Sequence, residues 1–120
     1  MVHFRLHSVA DIIVVELIVP GLREGPQLEE MFERFHELIG RSQSKRMIID
    51  LSRVQFIASR ALALLVVLRQ IVESHKGKFT LCGLREKPQQ VFRFSGLDRL
   101  FTFHDTRDEA LASFDAPVEC

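Results

Sequence analysis

Apolar positions change their period along the chain, and the changes mark out its elements. Residues 2–7 alternate loosely, and residues 11–19 are dominated by the β-branched run Ile12, Ile13, Val14 and Val15, so the spacing predicts two strands forming a hairpin that turns around Ser8-Val9-Ala10. Pro20-Gly21 and Gly25-Pro26 break the pattern. Leu28, Met31, Phe32, Phe35, Leu38 and Ile39 then recur at helical spacing up to Gly40, with Glu29, Glu30, Glu33 and Glu37 on the outer face as a solvated surface. Residues 47–51 form a short apolar run around Ile48 and Ile49, as expected of a strand covered on both faces. Residues 59–76 contain no Gly or Pro and are rich in Leu and Ala, which predicts a helix stopped by Gly77. Residues 78–83 read as another strand, and Pro88 opens a short helix through Val91 and Phe92 to Gly96. A last strand spans 100–103. Thr106 and Glu109 have capping-box spacing ahead of Ala110, Leu111 and Phe114, which places a final helix there. Phe92, Phe94, Phe101 and Phe103 are assigned to the core.

The order β-β-α-β-α-β-α-β-α, with short connections, predicts an α/β fold: a mixed, mostly parallel sheet of about four to five strands with about four helices packed on it. A chain of 120 residues suits one domain, expected over 1–116 with a loose tail at 117–120. The formal net charge is zero, yet residues 1–40 carry −4, residues 41–100 carry +8 and residues 101–120 carry −4. A zero balance without Trp or Tyr argues against a direct nucleic-acid partner. No apolar run approaches the ~20 residues of a membrane helix, and Cys82 and Cys120 make no disulfide framework, so a cytoplasmic protein without membrane insertion is expected. The five histidines lack metal-ligand spacing, no phosphate-binding glycine loop occurs, and Ser59 lacks a nucleophile-elbow context. No cofactor, metal site or enzymatic activity is expected.

Chemistry is most expected in the segment from Asp50 to Ala63, which follows the buried strand and opens the long helix, where parallel sheets gather functional loops. Asp50 reads as an anchor for this loop through backbone N–H groups. Ser59 has two readings. As an N-cap its hydroxyl accepts from the first turn; as a phosphorylation site it holds a phosphate at the positive helix end, with Arg53 and Arg60 near in sequence. A helical wheel puts Ala61, Leu64, Leu65, Leu68, Ile71 and Val72 on the core face, and Leu62, Ala63 and Val66 on the opposite side with Gln70 and Glu73. That second group is a patch that a partner protein buries, an ordinary scatter of exposed apolar residues, or a surface that a neighbouring helix covers.

The run from Ile48 to Ala63, with its Asp50-Leu-Ser-Arg-Val-Gln-Phe-Ile57 core, resembles the signature of STAS domains, the anti-sigma factor antagonist fold. The stretch Phe94-Ser-Gly-Leu-Asp-Arg-Leu-Phe101 and the helix from Thr106 to Ala112 are similar to later motifs of that family, in the same order. The resemblance implies a mixed sheet with helices along one side. It also implies a regulatory protein that binds an anti-sigma factor or serine kinase and is released by phosphorylation at the position of Ser59. Ala58, Arg60, Ala61 and Ala63 stand where the family motif has Asp, Ser, Gly and Gly. Three alternatives stand beside the switch: a phosphorylation-independent scaffold that binds another STAS-domain protein, a homodimer, and a small-ligand sensor.

Overall fold

The computed structural model describes residues 3–43 and 45–114; the expected tail at 117–120, with Cys120, lies outside the described residues. Strands β1 (Phe4–Val9) and β2 (Ile12–Leu17) pair antiparallel, Phe4 opposite Leu17 and Val9 opposite Ile12. The turn falls on Ala10 and Asp11, both left-handed at φ 51° and 68°, later than the spacing predicts. Two left-handed residues match the twist of a tight hairpin, and neither is the Gly or Asn that would have signalled it. Arg46 donates to the Ala10 carbonyl at 2.9 Å and to the Phe114 carbonyl at 3.2 Å, tying this turn to the end of the last helix.

β3 (Gly21–Leu22) precedes α1 (Pro26–Arg41), and β4 (Arg46–Asp50) precedes β5 (Phe56–Ile57) and α2 (Ser59–Ser74). β6 (Lys78–Cys82), α3 (Glu86–Ser95), a one-turn 3-10 helix (Leu97–Arg99), β7 (Thr102–His104) and α4 (Arg107–Ser113) follow. The main sheet runs β1-β2-β4-β6-β7, parallel except for β1, as the α/β reading expects. β3 and β5 form a separate two-stranded parallel sheet that the sequence pattern does not reveal.

Strand alternation sorts the core into two layers. Val15, Ile49 and Leu81 belong to the larger cluster with Phe35 of α1, Leu65 of α2 and Phe92 of α3. Val14, Ile48 and Cys82, one position away in each strand, belong to a smaller cluster with Ala110 and Phe114 of the last helical segment. Thus three helices cover one face and α4 the other, which corrects the expectation of helices along one side. The reason is the sequence of the inner strands: Ile12, Val14 and Ile48 make the second face apolar, and without α4 it would meet water.

Phe94 departs from its assignment to the core. It is 87% exposed, whereas Phe92 is buried and meets Phe101 and Phe103 edge-on at 5.5 and 5.3 Å. Residues two apart on a helix point to different sides, so both cannot enter one core. α2 ends at Ser74, earlier than the expected stop at Gly77: Lys76 is the left-handed residue at φ 62°, and Gly77 follows where a side chain would run into the Lys45 carbonyl oxygen.

Thr106 caps α4 as expected, its Oγ1 accepting from the Glu109 N–H at 3.1 Å, but the Glu109 carboxylate reaches one residue beyond the cap and accepts from the Asp105 N–H at 3.2 Å. Thr106→Ala is expected to cost about 1 kcal/mol. Thermal unfolding followed by circular dichroism should show a drop of about 4 °C, and an unchanged midpoint would remove the cap's role.

Candidate functional site

The segment before α2 is held in place by backbone hydrogen bonds from two directions. The Leu51 N–H donates to the Cys82 carbonyl at 2.9 Å, which fixes the end of β4 against β6. The Gln55 and Phe56 N–H groups both donate to the Pro20 carbonyl, at 2.7 and 3.2 Å, and the Ala58 N–H donates to the Leu22 carbonyl at 2.9 Å. Val54 and Ile57 are buried beneath this strap while Phe56 faces outward, with the Arg23 guanidinium 5.5 Å above its ring. The small β3/β5 sheet is therefore the device that sets where α2 begins.

Asp50 anchors the same loop, as its position suggests: its Oδ1 accepts from the Ser52 N–H at 2.9 Å. Its Oδ2 also accepts from Arg107 at 2.8 Å, and Arg107 lies 3.6 Å from Glu16. Glu16 in turn meets His7 at 3.1 Å and Arg53 at 3.7 Å. Asp50, Glu16 and Arg107 thus bind the start of α4 to the carboxyl ends of β2 and β4. The hydrogen bond from His7 and the nearby arginines hold the Glu16 carboxyl below its usual range, against a smaller opposing effect of burial.

Ser59 is not the N-cap. Ala58 occupies that position, so Ser59 is the first residue of the helix, exposed, and its hydroxyl makes no hydrogen bond to a described residue. A methyl side chain at the cap position accepts nothing, and no side-chain oxygen caps the first turn. The capping reading of Ser59 is thereby corrected. An exposed hydroxyl at the positive end of a 16-residue helix remains.

The arginines expected around Ser59 are already engaged elsewhere. Arg60 Nε and Nη2 donate to the two carboxylate oxygens of Glu29 at 2.6 and 2.9 Å, a bidentate pair joining the first turns of α2 and α1. Those hydrogen bonds lower the Glu29 pKa and raise that of Arg60. Glu29 is therefore an ion-pair partner rather than part of a purely solvated face. Arg53 turns toward Glu16. The structure does not gather Arg53, Ala58 and Arg60 into one phosphate pocket.

Along α2, Ala63 and Gln70 are exposed as expected and Val66 is partly covered, but Leu62 is only 7% exposed and belongs to the main core. This corrects its placement on the outer face: at ~100° per residue Leu62 lies about 80° from the centre of the buried stripe, on its flank rather than opposite. Val67, which the wheel did not single out, is exposed instead. The outward surface near Ser59 therefore comprises Ala63, Val67 and Gln70 of α2, with Phe56 on the strap. The Phe-Ile pair of the signature stretch was the available signal for Phe56, since alternation exposes one when the other is buried.

Among the described residues, no helix is long and apolar enough to cross a membrane. The chain is similar over 70 residues, at 29% identity, to a candidate anti-sigma factor antagonist of Bordetella bronchiseptica, BtrV, covering 58% of this chain and 60% of that protein. It is 28% identical over 110 residues to a candidate anti-sigma factor antagonist of Thermotoga neapolitana, covering 90% of this chain and 94% of the relative. The solved anti-sigma-factor antagonist (STAS) domain protein of Planctomyces limnophilus superimposes with a TM-score of 0.82 at 26% identity, covering 94% of this chain and 98% of that one. The model of the STAS domain matches residues 26–110, and the chain belongs to that family.

Proposed function

We propose that this chain is a non-enzymatic regulatory module of the cytoplasm that binds an anti-sigma factor with serine kinase activity and is switched by phosphorylation at Ser59. The observation that carries this reading is the exposed, unbonded hydroxyl of Ser59 at the first position of α2, on a segment strapped by β3 and β5. The relatives named as candidate anti-sigma factor antagonists support it. The free kinase would dock on the Ser59 segment and on the Ala63, Val67 and Gln70 side of α2. A phosphate adds about −1.5 to −2 charges at pH 7, and within a partly apolar contact that charge is desolvated and the complex weakens.

Incubation with a partner kinase and ATP is expected to add one phosphate to the wild-type chain by intact mass and none to Ser59→Ala. A wild-type chain that gains no phosphate, or a Ser59→Ala chain that gains as much, refutes the switch. A phosphorylation-independent scaffold, pairing with another STAS-domain protein or a second copy, is the second reading. The Arg60–Glu29 pair favours it, because it sets a permanent, neutralised contact beside Ser59. In that case a captured partner stays bound in the presence of kinase and ATP.

A further inference from the structure

A cavity of about 200 Å³ opens at the carboxyl ends of β6 and β7, between α3 and the 3-10 turn, and shares no residue with the Ser59 segment. Open parallel sheets collect ligands at this end. Phe92 and Phe103, edge-on at 5.3 Å, supply its apolar lining. Its polar lining includes Arg93, Asp98 and Asp105, and none of these three side chains makes an ion pair or hydrogen bond with another described residue. His104 lines the same cavity, and its Nε2 is the one buried side-chain nitrogen or oxygen among the described residues that lacks a hydrogen-bond partner. That nitrogen is closed to solvent, so it lies behind the cavity wall and does not face the open space.

We propose that this cavity binds a small zwitterion of amino-acid size with an apolar side chain. The volume limits the ligand: a cavity of ~150 Å³ holds benzene, so this one takes a molecule little larger than a single ring. The charges set its class. A lone anion would meet Arg93 but be repelled by Asp98 and Asp105, and a lone cation would leave Arg93 without a partner. A carboxylate on Arg93 and an ammonium on the two aspartates satisfy all three through charge-assisted hydrogen bonds, while the side chain lies on Phe92 and Phe103.

The test titrates the full chain with each proteinogenic amino acid to about 10 mM, enough to detect millimolar binding. NMR follows the His104 imidazole and the Phe92 and Phe103 rings. At least one apolar or aromatic amino acid is expected to shift all three saturably. Its N-acetyl and methyl-ester derivatives, and the variants Arg93→Gln and Asp98→Asn/Asp105→Asn, should each bind about tenfold or more weakly. The substituted side chains are exposed, so the variants should fold, and circular dichroism verifies this. Absence of saturable shifts with every amino acid, or affinity unchanged in the blocked derivatives or in both variants, overturns the proposal. The outcome is independent of whether Ser59 accepts a phosphate.

Discussion

Phe35→Ala is expected to remove about 3–5 kcal/mol of stability, a large part of the 5–15 kcal/mol typical of a domain. Phe35 is fully buried and takes Phe4 edge-on at 5.0 Å and Phe32 at 5.2 Å. It therefore joins α1 to the β1 hairpin as well as filling the larger core layer. Truncation removes the transfer free energy of the ring and leaves a cavity beside the Phe4 and Phe32 rings. The control is Phe94→Ala: at 87% exposure its loss should change stability by less than about 0.5 kcal/mol. Urea unfolding of both variants provides the measurement. Equal midpoints would show that the two phenylalanines do not differ in the way their burial requires.

Asp50→Ala is the second large effect, about 2–3 kcal/mol at neutral pH. The carboxylate is buried and joins the Ser52 amide on one oxygen to Arg107 on the other. The figure sits below that of a fully buried pair because the Arg107 side chain is 31% exposed and water screens it. Burial alone would push the Asp50 carboxyl up, but the Ser52 amide and the Arg107 guanidinium together hold it below its ordinary value. A carboxyl that is more acidic in the folded state contributes stability above its unfolded pKa and loses it as pH falls through the folded value. Wild type should accordingly lose stability steeply below about pH 4, and Asp50→Ala should show a shallower acid slope, with only Glu16 still paired to Arg107. Denaturant melts across pH 2–7 test this, and parallel slopes in the two proteins would mean that Asp50 is not the linked group.

Elements whose signal is local were legible before the structure. The β-branched run at 12–15, the spacing from Leu28 to Ile39 and the Thr106–Glu109 cap each carry enough periodicity or capping chemistry to declare themselves. Asp50 was legible too, because a carboxylate at a strand end has few other tasks. What escaped depends on residues distant in the chain. β3 and β5 are two residues each, too short for a period, and they exist because Pro20 and Leu22 offer carbonyls to 55–58. The Arg60–Glu29 pair spans 31 positions, so no sequence window contains it. Leu62 was misplaced because a wheel assumes one covered side, whereas the buried stripe of α2 is wide enough to include its flank. The N-cap error turned on a single residue: helix starts carry an uncertainty of one or two positions, and here that distance separates a capping serine from an unoccupied one.

The order of strands in the main sheet bears on how the protein is made. After the β1–β2 hairpin, every later strand of that sheet, β4, then β6, then β7, joins the same growing edge in chain order. No strand has to be threaded between two neighbours that are already paired. A chain emerging from the ribosome amino terminus first can thus lay down its sheet one strand at a time, each arrival covering the edge left open by the last. The parallel pairings remain costly in loop closure, but they need never be undone to admit a latecomer.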